Sequence, residues 1–332
     1  GLGEASSTMN KYIPHTPDDI RQMLDKIGVN SIDDLFADIP ESVRLQKEYD
    51  LPEAMSEEEI RAYFKALGEQ NQQQVIFAGG GAYDHYTPSA IDALLSRSEF
   101  LTAYTPYQPE ISQGTLQYIF EYQSHICELT GMDCTNASMY DGATAAVEAI
   151  FMAVAQAKKK NRVLVSATIP PTLVSIIHTY AKYKGINVDI MQSEWGKVFT
   201  AEEIKAQLQK KNYAAMTVTH VDTATGAKAP IEEIGEMMKE FPNTIYIVDG
   251  VAASAGIDER MTDMNIDIIL TGSQKAFGVA PGLAILCANQ KSLARRKELG
   301  ETIPEFFIDY EKWIPIMNDP SKYFGTPAIN LI

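Results

Sequence analysis

Four short stretches of this sequence carry residues that could do chemistry. In Val248-Asp249-Gly250-Val251-Ala252-Ala253 an acid ends an apolar run and small residues follow, so a flat ligand could lie close to the backbone. A carboxylate so placed is poorly solvated and needs a cationic partner. That partner is either a protonated pyridine nitrogen or a structural Arg or Lys. In Leu270-Thr271-Gly272-Ser273-Gln274-Lys275-Ala276-Phe277-Gly278 a lysine follows a second apolar run among Gly and Ser. A desolvated lysine has a lowered pKa and can form a Schiff base, whereas most lysines are simply exposed. Tyr140-Asp141-Gly142-Ala143-Thr144 opens a helical stretch, Ala145 to Lys158. Free N–H groups and the helix dipole there favour a phosphate, and a plain cap by Asp141 is the competing reading. Thr219-His220-Val221-Asp222-Thr223-Ala224-Thr225-Gly226 offers hydroxyls for a phenolic or phosphate oxygen. Its His220 reads as a satisfied core histidine.

Together these groups meet the needs of pyridoxal 5′-phosphate (PLP): an anion site at a helix start, an acid for the ring nitrogen, and a lysine for the aldehyde. Asp249 precedes Lys275 by 26 residues.

The elements that must position these residues can be read from periodicity. Arg162–Ser166, Ile186–Met191, Ala214–His220, Thr244–Asp249 and Ile266–Thr271 are apolar runs of strand length. Helical stretches at Leu173–Tyr183, Thr200–Lys210 and Pro230–Glu240 alternate with them. This order predicts an α/β fold with a mostly parallel sheet covered on both faces, whose ligands sit beyond the carboxyl ends of the strands. Residues 9–72 differ, being helical and acidic. Thr16-Pro17-Asp18-Asp19, Ser31-Ile32-Asp33-Asp34 and Ser56-Glu57-Glu58-Glu59 each look like a helix start, and Ile20, Met23, Leu24 and Ile27 form a stripe. The expected division is a remnant at 1–8 before Met9, a helical arm at 9–72 and a large PLP-binding domain at 73–332.

Composition narrows the function. Asp and Glu total 44 against 28 Lys and Arg, a net charge of −16. That charge repels phosphate backbones and argues against nucleic-acid binding, leaving room for a local cationic pocket. Hydrophobic residues are 45% of the chain, enough for a sizeable core. Cys127, Cys134 and Cys287 form no CxxC pair, which fits buried apolar residues and a reducing, cytoplasmic setting. No apolar run reaches the ~18 residues of a membrane span, and no His/Cys cluster has metal-ligand spacing. Gly79-Gly80-Gly81 reads as a turn, and Tyr104, Tyr107 and Tyr140 read as packing residues.

Two family resemblances follow from longer runs. Residues from about 9 to 190 resemble the N-terminal part, or first subunit, of the glycine cleavage system P-protein (glycine dehydrogenase, decarboxylating). The runs are Tyr12-Ile13-Pro14-His15-Thr16, Phe100 to Glu110, Ser112-Gln113-Gly114 and Asn136 to Thr144. Residues from about 192 to 332 resemble class V aminotransferases of the alanine/serine–glyoxylate type. This rests on Glu194-Trp195-Gly196, Thr219 to Gly226, Val248 to Val251, Thr271 to Ala276, Pro281 to Ala284 and Thr326 to Ile332. The chain therefore reads like a hybrid, natural or assembled, joined near 160–192. Both families imply the PLP-dependent fold type I large domain, with a seven-stranded sheet.

The resemblance also implies roles. Lys275 is the Schiff-base lysine and Asp249 the partner of the ring nitrogen. Val251 packs on the ring. Gly142, Ala143 and Thr144 hold the phosphate with Gln274 beside it, and Thr223 or Thr225 touches the 3′ oxygen. Thr326 reaches a neighbouring subunit's phosphate, implying a dimer.

Departures are equally specific. Ile169-Pro170-Pro171-Thr172-Leu173 stands where P-proteins carry a stacking His, and the first subunit of split P-proteins lacks the PLP lysine. Class V enzymes continue for about 100 residues more, a small domain bearing the carboxylate-binding arginine. The chain ends at Ile332, so that domain is expected to be absent.

The expected function is an aminotransferase-like reaction of glycine, alanine or serine with glyoxylate. The alternative is glycine decarboxylation with a lipoyl-carrying partner and a second P-protein-like subunit. A partner-dependent or non-catalytic subunit is a third reading.

Overall fold

The computed structural model describes residues 12–47, 49–77, 86–101, 104–137, 139–157, 160–166, 168–299, 309–322, 324–325, 328 and 332. The chain divides into two compact units, 1–84 and 85–332.

Two helices, α1 (Pro17–Ile27) and α2 (Glu57–Gly68), form the first unit with two 3-10 turns between them. Both begin as their sequences require. Asp19 N–H donates to Thr16 Oγ1 and Thr16 N–H donates back to the Asp19 carboxylate; Ser56 and Glu59 repeat this reciprocal cap. Pro17 costs α1 nothing at its first position, where an N–H would lack a helical partner anyway. The Ser31 start departs from expectation. The Asp34 carboxylate accepts the N–H groups of Asn30 and Ser31, and one 3-10 turn, Asp33–Phe36, results instead of an α-helix. No residue of α1 or α2 is buried.

The second unit opens with α3 (Ser89–Leu95), α4 (Ser98–Leu101) and α5 (Gln113–Thr130). There follow β1 (Cys134–Thr135), α6 (Gly142–Gln156), β2 (Arg162–Ser166), α7 (Pro171–Lys184), β3 (Asn187–Met191) and α8 (Ala201–Leu208). Next come β4 (Ala215–Thr219), α9 (Ile231–Met238), β5 (Ile245–Asp249), β6 (Ile268–Gly272), β7 (Ala284–Ala288), α10 (Gln290–Leu299) and α11 (Tyr310–Asn318). Among the described residues the strands form one seven-stranded sheet in the order β1-β7-β6-β5-β4-β2-β3. Strands β2 to β6 pair in parallel, and β7 alone runs against its neighbours. The expected doubly covered, mostly parallel sheet is therefore present. β1 and β7 extend it beyond the five strands read from periodicity.

Strand alternation sorts the core into two layers. On one face Val163, Val165, Ala215, Ile245, Ile247, Ile268 and Leu270 pack against Ala145, Ala149, Ile150 and Ala153 of α6. Small residues on α6 let the helix lie close to the sheet. On the other face Leu164, Met216, Val218, Tyr246 and Val248 pack against Ile204 and Leu208 of α8 and Ile231 and Ile234 of α9. Burial of these apolar layers at roughly 25 cal/mol per Å² is what holds the sheet. The same alternation decides which face receives each polar residue at a strand's carboxyl end.

Candidate functional site

Asp249 closes β5 on the α6 face, since Ile245 and Ile247 before it lie in that layer. Val251 N–H donates to its Oδ1 at 3.0 Å. Burial pushes the Asp249 carboxyl above its ordinary value, while the Val251 N–H and the Lys275 charge pull it back in part. Lys275 thus supplies the nearby positive charge that a buried acid at this place requires. Gly250, the next residue, sits tightly packed: a Cβ there would make the Ser254 hydroxyl and the Ile269 side chain shift.

Lys275 is exposed and sits in a loop whose shape is fixed by its neighbours. Ser273 Oγ donates to Ala280 O at 2.7 Å, Ser273 N–H donates to Leu283 O at 3.1 Å, and Gly278 N–H donates to Lys275 O at 3.0 Å. Gly278 has φ 70°, a left-handed turn suited to glycine. Gln274 folds back over Gly272, its Oε1 standing 2.9 Å from where a Gly272 Cβ would be.

The start of α6 reaches this region through Val251, whose Cγ2 lies 3.7 Å from the place of a Gly142 Cβ. Gly142, Ala143 and Thr144 are partly buried here. The cap reading of Asp141 is realised. Thr144 N–H donates to Asp141 Oδ1 at 2.8 Å and Thr144 Oγ1 donates to Oδ2 at 2.9 Å.

Thr223 and Thr225 are separated by the structure. Thr225 serves its own loop, donating to Asp222 Oδ2 and accepting Ala227 N–H at 3.2 Å. Thr223 has neither bond, and both threonines line a cavity of about 700 Å³ at the carboxyl ends of β2, β3 and β4, with Pro170, Trp195 and Lys197. Ile169-Pro170-Pro171 opens α7 beside that cavity and brings no aromatic ring to it. Thr326 and the Gly79-Gly80-Gly81 run lie outside the described residues.

Three further groups lie at this edge, of which only Thr217 falls outside the stretches singled out in the sequence. Thr217 and Thr219 share the α6 face with Asp249, and Thr219 is the register partner of Asp249. Both hydroxyls are buried without a hydrogen-bond partner among the described residues. On the opposite face His220 is buried and paired through Nδ1 with Glu259 Oε1. The cysteines are free, and burial pushes the Cys127 thiol to about 12 and the Cys287 thiol to about 11. Among the described residues no group of His, Cys, Asp or Glu could hold a metal ion, and no helix is long and apolar enough to cross a membrane. Tyr104 and Tyr107 are exposed and meet edge to face rather than packing in the core.

PLP is the group that the sequence reading implies, and the residues fit its ring end: a partly buried carboxylate, a lysine near it and a small-residue wall at Gly250. At the phosphate end the fit is tighter, because Asp141 already holds Thr144 and brings negative charge. Gly142 and Ala143 remain as the N–H donors there.

The family model for the glycine cleavage system P-protein matches residues 10–297. The chain belongs to the glycine cleavage system P-protein family. The match runs across 160–192 without a break at the expected junction. This P-protein family member is 42% identical over 295 residues to the probable glycine dehydrogenase (decarboxylating) subunit 1 of Carboxydothermus hydrogenoformans, covering 86% of the chain and 65% of that relative. It is 41% identical to the protein of the same name in Bacillus subtilis, covering 81% of the chain and 60% of that relative. The chain thus spans less than two thirds of the length of these relatives.

Among solved structures it is similar to a glycine decarboxylase (P-protein) of the glycine cleavage system in inhibitor-bound form. The TM-score is 0.67 and the identity 32%, covering 86% of this chain and 64% of that one. An alanine–glyoxylate aminotransferase from Nostoc sp. gives a TM-score of 0.61 at 22% identity, covering 79% and 68%. Both resemblances seen in the sequence are therefore met, the P-protein one as family and the aminotransferase one as fold. The fold type I expectation stands with them.

Proposed function

We propose that this chain is a PLP-binding subunit of a glycine decarboxylase that works with a second P-protein-like subunit and a lipoyl-carrying protein. The observation that carries the reading is Asp249, partly buried at the carboxyl end of β5 and within reach of the Lys275 charge, in a chain of the P-protein family. The name "subunit 1" of the relatives supports a different second subunit over a homodimer. The aminotransferase reading rests on likeness of fold alone and is the weaker of the two.

When bound, the cofactor supplies an electron sink for the pair left behind as the glycine carboxylate departs as CO₂. The chain's own residues would do the rest. Asp249 would keep a proton on the ring nitrogen. Lys275 would hold the aldehyde carbon and, once displaced by glycine, would carry a proton at the reacting carbon. Val251 would cover the ring, and the Gly142 and Ala143 N–H groups would meet the phosphate. Both loop threonines line the cavity, and because the Thr225 hydroxyl is engaged by Asp222 and Ala227, Thr223 is the better candidate to meet the 3′ oxygen.

The test is a titration of the chain with PLP, followed by glycine. A cofactor absorbance band that shifts with glycine supports the reading, and no band at saturating PLP sinks it. With second subunit and lipoyl protein added, labelled bicarbonate should exchange into the glycine carboxyl. Amino transfer from alanine to glyoxylate without lipoyl protein would reinstate the aminotransferase reading instead.

A further inference from the structure

The carboxyl end of β4 carries a hydroxyl that no group among the described residues uses. Thr219 pairs in register with Asp249 on the adjacent parallel strand β5. Neighbouring strands lie about 4.8 Å apart, and register partners on parallel strands project to the same face. That face is the α6 face, where Val251 meets the start of the helix. Thr219 is 6% exposed, and its Oγ1 has no hydrogen-bond partner among the described residues. A buried hydroxyl without a partner has given up its hydrogen bonds to water and gained none in return, which destabilises the fold. Natural proteins leave few such groups, and a hydroxyl of this kind at a ligand-binding edge points to a bound partner.

We propose that Thr219 is a further binding residue, its hydroxyl one of the polar contacts of the nitrogen heterocycle that Asp249 holds. This rests on the cofactor reading above. Thr225 cannot serve in its place without giving up Asp222 and Ala227. Thr217 provides a built-in comparison. It lies on the same face, 8% exposed and equally unpartnered, but pairs with Ile247 two residues deeper. Two residues of strand are roughly 6.6 Å, which removes Thr217 from the ligand edge.

The experiment measures PLP dissociation constants by equilibrium ultrafiltration for the full chain and for Thr219→Val, Thr219→Ser and Thr217→Val, with thermal midpoints of the ligand-free proteins. Thr219→Val should weaken binding about tenfold, the worth of one net hydrogen bond. Thr219→Ser, which keeps the hydroxyl, and Thr217→Val should bind as the parent does. The ligand-free Thr219→Val protein should melt no lower than the parent, since the hydroxyl has no partner to lose. Equal binding by Thr219→Val and the parent overturns the inference and leaves the cofactor reading standing. Equal weakening by Thr219→Ser and Thr219→Val also overturns it, because the methyl would then be responsible. A parent chain that binds no PLP overturns both.

Discussion

Asp141 holds Thr144 twice, through the backbone N–H at 2.8 Å and through the hydroxyl at 2.9 Å. A carboxylate thus fills the helix start to which the sequence assigned a phosphate. An N-cap acid and a phosphate compete for the same N–H donors and repel each other. Asp141→Asn keeps a capping oxygen and removes the charge. PLP affinity should therefore rise severalfold in this variant, while pyridoxal lacking the phosphate should bind unchanged. A variant that binds both ligands as the parent does would remove Asp141 from the phosphate question.

Asp249 makes a prediction about stability and pH. Its folded-state pKa is raised above the ordinary carboxylate value by burial, so the folded chain binds this proton more tightly than the unfolded chain does. The ionised form therefore costs stability. That cost is absent below the ordinary carboxylate range, grows as pH climbs toward the raised value, and is complete above it. Asp249→Asn should accordingly be more stable than the parent at neutral pH and should lose PLP binding. Urea midpoints at pH 4 and pH 7 check this: the difference between the proteins should widen at pH 7.

Lys275 partly offsets that rise, which gives a separate test. Lys275→Ala removes the charge, so the Asp249 carboxyl should titrate at higher pH than in the parent, read by ¹³C NMR. The side chain is exposed in its loop, and the substitution should change stability by no more than about 0.5 kcal/mol. An unmoved Asp249 titration would separate the two residues and with them the proposed site.

The sequence disclosed the site unevenly, for reasons that can be traced. Asp249 and Lys275 were legible because each follows a long apolar strand, and strand ends are where such sheets bind ligands. The five parallel strands were legible from their continuous apolar character. β1 escaped because it has two residues, and β7 because Ala284-Ile285-Leu286-Cys287-Ala288 has no period that separates strand from helix. Thr219 was read only as one of several hydroxyls in its stretch, and Thr217 not at all. Alternation puts Thr217 and Thr219 on one face, but only the β4–β5 register sets Thr219 opposite Asp249. Glu259, far from His220 in sequence, gave no local signal at all.

That last pair carries the remaining prediction. His220 and Glu259 are almost wholly buried, with side chains 2% and 3% exposed, and are paired through Nδ1 and Oε1, while His220 Nε2 and Glu259 Oε2 have no hydrogen-bond partner among the described residues. Glu259 lies between β5 and β6, so the pair ties that connection to the end of β4. His220 also reaches the site through its backbone, its N–H donating to Asp249 O at 2.9 Å and its carbonyl accepting Ala229 N–H at 2.8 Å. Glu259→Ala leaves the imidazole buried without its partner, a change that costs about 1–3 kcal/mol when a buried polar group is left unsatisfied. Glu259→Gln keeps an acceptor oxygen and should cost less than half as much. Urea unfolding gives both values. A loss below about 1 kcal/mol in Glu259→Ala would mean that the imidazole finds water or another acceptor, and that the end of β4 is held by its backbone bonds to Asp249 and Ala229 alone.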